Sequence, residues 1–230
     1  RRVWATYDGL RSSFMTYLSY DIFNNIIFTF TTIDEGLATP GAYEETFSTA
    51  YSTVVSKFNS LGKRQWATYI DRHGLYYHST ETDITGCIYF SQAYIYGFPS
   101  PLIGKSFLFK IDPFGRTVLD STVYGASGGG YPDIYSTKPF GLTLMTNSYI
   151  YVFGETNSPD SVVTPDGYDT TLGGNDDGFL MKFNVDTSVI ISQAYDDTLI
   201  CRGGGFYVPY LVNNSFLPGN TFTVQLSNAY

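Results

Sequence analysis

Trp-Ala-Thr-Tyr occurs twice in this chain, at positions 4–7 and 66–69, 62 residues apart. A second phrase, Thr-Pro-Gly-Ala-Tyr at 39–43, returns as Thr-Pro-Asp-Gly-Tyr at 164–168, after about two such periods. A third, an apolar run carrying a lysine, appears around Lys57, Lys110 and Lys182. The offsets repeat along with the words. Tyr43 precedes Lys57 by 14 residues and Tyr168 precedes Lys182 by 14, while Gly62 and Gly115 each follow their lysine by 5. Similarity at a fixed period marks a repeat architecture, in which one unit cannot bury its own hydrophobic face and must stack on its neighbours.

Each unit divides into about four short strands. In the second unit these are 65–70, a strand near 76–82, 87–94 and 106–111. A turn at Asp83-Ile84-Thr85-Gly86 separates the second from the third, with glycine free to take a positive φ. Segments 26–32 and 149–154 are counterparts of 87–94. In 106–111 the residues alternate, with Phe107, Phe109 and Ile111 on one face and Leu108 and Lys110 on the other; Phe179, Met181 and Phe183 share a face in the same way. The 21 tyrosines, 18 phenylalanines and 23 glycines among 230 residues suit pleated, half-buried surfaces joined by turns. The expected fold class is all-β, built of β-propeller blades: four-stranded antiparallel repeats at roughly 55–70 residues. About three are present, an incomplete ring beside the typical four to eight.

The order of Trp-Ala-Thr-Tyr, an apolar strand, Thr-Pro-Gly-Ala-Tyr, then Asp-Gly-Phe-Leu-Met-Lys-Phe-Asn at 177–184, resembles the bacterial seven-bladed beta-propeller (SBBP) repeat. The resemblance spans about residues 2–187 and is most specific at 39–62, 65–69 and 164–184. Two departures stand out. The second unit carries 98–104 in place of Thr-Pro-Gly-Ala-Tyr, and the third has Val185-Asp186-Thr187 where the closing glycine belongs. The array is expected to stop there. The resemblance implies a secreted or surface-exposed, non-catalytic propeller inside a long modular chain.

Farther on, Pro218-Gly219-Asn220-Thr221-Phe222-Thr223-Val224 resembles the opening of an immunoglobulin-like β-sandwich module of large Bacteroidota surface proteins. Such a sandwich takes about 100 residues, more than 188–230 provide. The expected domains are therefore propeller repeats over 1–187 and the beginning of the sandwich over 188–230, in an excerpt of a larger protein. The combined resemblance implies export by a type IX secretion system, with a sorting domain elsewhere in the parent.

Net charge is −8, from 13 basic and 21 acidic residues. That sign repels phosphate backbones and anionic membrane, so nucleic acid is not an expected partner. No apolar run approaches the roughly 18 residues of a membrane-spanning helix, so no membrane insertion is expected. Arg1 leads directly into a strand-like run without a signal peptide, a pattern that a mature secreted fragment and a cytosolic protein share. Cys87 sits in an apolar strand far from Cys201; two unpaired thiols are expected, with Cys87 buried, and a disulfide stays open. Two cysteines and two histidines without ligand spacing make no zinc site.

No catalytic residues are assigned. His73 and His78 flank Tyr76 and Tyr77, but histidines five apart along a strand point to opposite faces. The loop 173–178 holds Asn175, Asp176 and Asp177, oxygen ligands of the kind calcium takes. It lacks EF-hand spacing, and Asn, Asp and Gly are turn formers in their own right, so an ordinary turn is the expectation and no cofactor is assigned. The triglycines at 128–130 and 203–205 lack the Gly-Lys-Ser/Thr ending of a phosphate loop and read as turns. Aromatic residues such as Phe107, Phe109, Tyr149 and Tyr151 offer a carbohydrate-stacking platform, yet their alternating placement points first to packing between blades. Lys57, Lys110 and Lys182 read as register markers whose stems cover apolar surface.

The function expected is a non-catalytic interaction or scaffold module, extracellular or at the bacterial cell surface, serving adhesion or complex assembly. Its partner would be a protein or a surface glycan, within a larger secretion or surface complex. One alternative is a carbohydrate-binding or carbohydrate-degrading propeller, which needs two carboxylates roughly 5–10 Å apart; Asp71, Asp112 and Asp160 are available, and no motif selects a pair. Another is a passive structural stalk.

Overall fold

A computed structural model describes residues 3–6, 13–47, 52–70, 78–93, 104–125, 136–145, 149–158, 162–184, 190–192 and 210–212. Two compact units divide the chain, Arg1–Asp186 and Thr187–Tyr230.

In the first unit, strands add to one another in chain order by antiparallel pairing. Sheet 1 is β1 (Ser13–Tyr20), β2 (Ile26–Thr32), β3 (Ser52–Phe58) and β4 (Arg64–Ile70). Sheet 2 is β5 (His78–Thr82), β6 (Ile88–Ala93), β7 (Ser106–Ile111) and β8 (Val118–Tyr124). Sheet 3 has three strands among the described residues: β9 (Thr137–Met145), β10 (Tyr149–Thr156) and β11 (Asp177–Asn184).

The hairpins follow from local chemistry. Those joining β1–β2, β3–β4, β5–β6 and β7–β8 open on Asp21, Asn59, Asp83 and Asp112, and each of these side chains accepts the backbone N–H two and four positions on. The fourth residue of each loop is left-handed: Asn24 at φ 60°, Gly62 at 79°, Gly86 at 78° and Gly115 at 70°. Glycine and, less readily, asparagine tolerate that region, which turns the chain tightly back on itself.

This geometry corrects the expected phase of the repeat. Segment 65–70, read as the first strand of a unit, is the last strand of sheet 1, because the loop opening on Asn59 folds it back on β3. The runs 26–32, 87–94 and 149–154, read as third strands, are the second strands of their sheets. β8 completes sheet 2 in the role assigned to the next unit.

The sheets stack face to face. Ile27, Val55, Trp66 and Ile70 of sheet 1 pack against Ile88, Phe90, Phe107, Phe109 and Ile111 of sheet 2. Phe107 and Phe109 stack with ring centres 5.9 Å apart. The opposite face of sheet 2, with Tyr89, Leu108 and Tyr124, packs on Leu142, Ile150, Val152 and Phe179 of sheet 3. The alternation read in 106–111 is thus the alternation of two buried junctions, and Phe179, Met181 and Phe183 share the face of β11 that meets sheet 2. The first strands β1, β5 and β9 lie side by side, and Thr82 Oγ1 donates to the Tyr20 carbonyl across the first pair at 2.8 Å. Adjacent first strands with packed faces are the stacking of propeller blades, and the fold is all-β. Among the described residues no helix is long and apolar enough to cross a membrane.

In the second unit β12 (Ile190–Ser192) pairs antiparallel with β13 (Tyr210–Val212). The rest of the expected immunoglobulin-like opening lies outside the described residues.

Candidate functional site

The repeated residues meet at the junctions between sheets. Lys57 on β3 reaches back to the first hairpin of its own sheet, with Nζ 2.9 Å from Asp21 Oδ2, and both side chains are buried. The other carboxylate oxygen of Asp21 holds the turn through the N–H groups of Phe23 and Asn25. Sheet 2 repeats the device more loosely. Lys110 Nζ lies 3.8 Å from Asp83 Oδ2, which also accepts the Tyr89 hydroxyl at 3.3 Å. The lysines therefore do more than mark register. Asp21 and Asp83 were missed as their partners, although both open five-residue loops of like design, and that shared position was the available signal. Sheet 3 departs from the pattern: Lys182 Nζ sits 3.6 Å from the ring centre of Tyr149 and 5.9 Å from that of Tyr151.

A second device joins consecutive sheets. Trp66 of β4 lies over Gly115 in the β7–β8 hairpin, and its Nε1–H donates to the Pro113 carbonyl at 3.0 Å. Trp4 does the same to the β3–β4 hairpin: its ring would lie 2.8 Å from a Cβ on Gly62, and its Nε1–H donates to the Ser60 carbonyl at 3.1 Å. The two Trp-Ala-Thr-Tyr phrases and the glycine five residues after each lysine are thus halves of one latch.

The Thr-Pro-Gly-Ala-Tyr phrase covers a sheet edge. Thr39 N–H donates to the Ala67 carbonyl at 2.9 Å, Ala67 N–H donates to Thr39 Oγ1 at 3.3 Å, and Tyr69 N–H donates to the Glu44 carbonyl at 3.0 Å. These bonds satisfy the outer side of β4, which would otherwise present open donors and acceptors. The Tyr69 hydroxyl ties down the same segment, accepting from Leu37 N–H at 3.0 Å and donating to the Asp34 carbonyl at 2.8 Å. β8, at the same place in sheet 2, is exposed over most of its length.

Among the described residues of the first unit, no strand covers one face of sheet 3. Tyr149 and Phe153 of β10, Leu180 and Lys182 of β11 and Met145 of β9 lie on it, with Leu180 71 % and Met145 57 % exposed. Its counterparts, the Lys57 face of sheet 1 and the Lys110 face of sheet 2, are each buried beneath the following sheet. Tyr149 and Tyr151, read as packing residues between blades, therefore stand on this open face.

Other candidate residues are dispersed. Asp177 begins β11 and its carboxylate accepts the N–H groups of Gly173 and Gly178; Asn175 and Asp176 precede it in the loop. Among the described residues no three His, Cys, Asp or Glu side chains cluster as a metal site. Asp112 holds its hairpin through the N–H groups of Phe114 and Arg116. Asp71, Asp160, His73, Cys201 and both triglycines lie outside the described residues; β5 begins at His78, whose backbone pairs with Gln92. Cys87 is buried and unpaired. Burial, reinforced by the neighbouring Asp83 carboxylate, pushes its thiol up to about 11. Burial likewise raises the Tyr89 and Tyr124 phenols above their ordinary value, and desolvation raises Glu81.

No family model matches this chain, and no curated protein matches it.

Proposed function

We propose that this chain is a non-catalytic interaction or scaffold module that works by adding further protein to its open sheet face. The observation carrying this reading is the face bearing Tyr149, Phe153, Leu180 and Lys182, which matches in register two faces buried by sheet–sheet contact. Asp21, Asp83, Asp112 and Asp177 add support, since each carboxylate is engaged by backbone N–H groups of its own turn. The extracellular, cell-surface setting and a place in adhesion or complex assembly rest on the resemblance of the repeats to the SBBP family.

The test compares the full chain with a Phe153→Asp/Leu180→Asp variant in capture of surface proteins from the producing cell. Specific retention by the parent and loss by the variant supports the reading, whereas equal capture by both sinks it. A glycan array and hydrolysis assays run on the same samples. Turnover that disappears on replacing a single carboxylate would put a carbohydrate-degrading propeller in its place.

A further inference from the structure

The four hairpins of sheets 1 and 2 gather at one end of the stack. Antiparallel strands paired in chain order turn at the same end in β1–β2 and β3–β4, and likewise in β5–β6 and β7–β8. Contacts between the sheets bring those ends together: a Cβ on Gly86 would lie 3.6 Å from Pro113 and 3.8 Å from Phe23, and Lys57 Nζ donates to the Pro113 carbonyl at 3.4 Å. The two outer hairpins share more than their turn chemistry. Asn59-Ser60-Leu61-Gly62-Lys63 and Asp112-Pro113-Phe114-Gly115-Arg116 each place a large apolar residue third, the left-handed glycine fourth and a cation fifth. Leu61 is 81 % exposed and Phe114 55 %; Lys63 and Arg116 are exposed too, and Arg64 adds a third exposed cation. Turns are ordinarily built of Gly, Pro, Asn, Asp and Ser, and nothing in this turn geometry calls for an apolar side chain at its tip.

We infer that these outer hairpins form a peripheral lipid-binding edge. Leu61 and Phe114 enter the headgroup boundary of an anionic bilayer, and Lys63, Arg64 and Arg116 meet its phosphates. Shape favours lipid as the occupant, because each apolar side chain stands alone at a hairpin tip and a fluid bilayer admits such points without preformed pockets. Trp4, exposed over Gly62 with its Nε1–H on the Ser60 carbonyl, adds an amphipathic ring of the kind enriched at bilayer interfaces. Charge favours an anionic surface. The outer hairpins with Arg64 carry three cations and one carboxylate, Asp112, which is turned onto the N–H groups of Phe114 and Arg116. Asp120 on β8 offsets one cation, and Glu81 is half-buried on β5, a first strand of its sheet, so the outer edge stays positive. Asp21 and Asp83 of the other two hairpins are answered by Lys57 and Lys110. The net charge of −8 opposes approach of the chain as a whole. Screening limits that opposition to about 10 Å at 0.1 M salt, so the side chains at the contact decide the outcome.

Sedimentation of the full chain with vesicles tests this, using phosphatidylcholine alone and phosphatidylcholine with about 30 % phosphatidylglycerol, both at about 0.1 M salt. Binding to the mixed vesicles is expected, at least tenfold stronger than to the neutral ones. Tryptophan emission should shift to the blue on binding, through Trp4, since Trp66 is already buried. L61S/F114S and K63E/R116E should each weaken binding at least tenfold. Both keep the opening Asn or Asp and the glycine of each turn, and urea unfolding shows whether they keep the fold. If a double variant does not fold, L61N or R116Q alone should weaken binding at least threefold. V163S, at an exposed apolar site outside these hairpins, should bind as the parent does. No binding of the parent to the mixed vesicles, equal binding to neutral ones, undiminished binding by folded hairpin variants, or equal loss in V163S would each overturn the inference. Retention on polyglutamate without binding to vesicles would also overturn it, assigning the edge to an acidic polypeptide. None of these outcomes depends on capture at the sheet 3 face.

Discussion

Trp66 and Gly115 face each other across two sheets, the indole lying over a left-handed glycine at φ 70° while its N–H bonds to the carbonyl of Pro113. A side chain on Gly115 would strike the ring, so the two residues form a matched pair. Trp66→Ala should cost about 3–5 kcal/mol, the range for emptying a buried aromatic site. Gly115→Ala should cost more than about 1 kcal/mol, from backbone strain and from the displaced ring. Because both break one contact, the double variant should lose less than the sum of the singles, read by urea unfolding.

The buried Lys57–Asp21 pair predicts an asymmetry. Asp21→Ala removes the partner of a buried ammonium and the acceptor of two turn N–H groups, and should cost at least about 3–5 kcal/mol. Asp21→Asn spares the turn acceptor and isolates the charge. Adding Lys57→Met to Asp21→Asn removes both charges and should recover much of the loss, because an apolar replacement of a buried pair is often neutral. A double variant no more stable than Asp21→Asn alone, by the same unfolding assay, would show that the pairing carries little of the effect.

The edge cover of β4 depends on the Tyr69 hydroxyl. Tyr69→Phe leaves Leu37 N–H and the Asp34 carbonyl without that partner, at about 1–3 kcal/mol. Limited proteolysis should then cut within 33–47 faster than in the parent. Cleavage at an unchanged rate would mean that the Thr39 and Glu44 bonds hold the segment by themselves.

Alkaline conditions should destabilise the fold. The folded thiol of Cys87 is raised from 9.0 to about 11, so below pH 9 folded and unfolded chains are both protonated and its contribution is intact. Above that the unfolded chain ionises first, and stability falls until the folded thiol titrates near pH 11. Tyr89 and Tyr124, also raised, extend the loss upward from about pH 10. Unfolding free energies at pH 7, 9, 10 and 11 should show this fall, and Cys87→Ala should flatten the portion between 9 and 10.

The sequence alone determined whatever depends on neighbours a few residues apart. Alternation placed Phe107, Phe109 and Ile111 on one face, and in the hairpins of sheets 1 and 2 that join β1–β2, β3–β4, β5–β6 and β7–β8 the opening Asp or Asn with the Gly or Asn three residues later specified tight turns, because their hydrogen bonds close within five residues. The repeated phrases announced sheets that had to stack. Tertiary structure alone decided the phase of the sheets, the pairing of Lys57 with Asp21, and the seating of Trp66 on the Pro113–Gly115 turn of the next sheet. Those outcomes rest on strand register and sheet stacking, which bring together side chains tens of positions apart. A periodic pattern of residue types leaves such partners unspecified. The tryptophan phrase that first marked the repeat is therefore half of a latch, completed by a glycine from the following sheet.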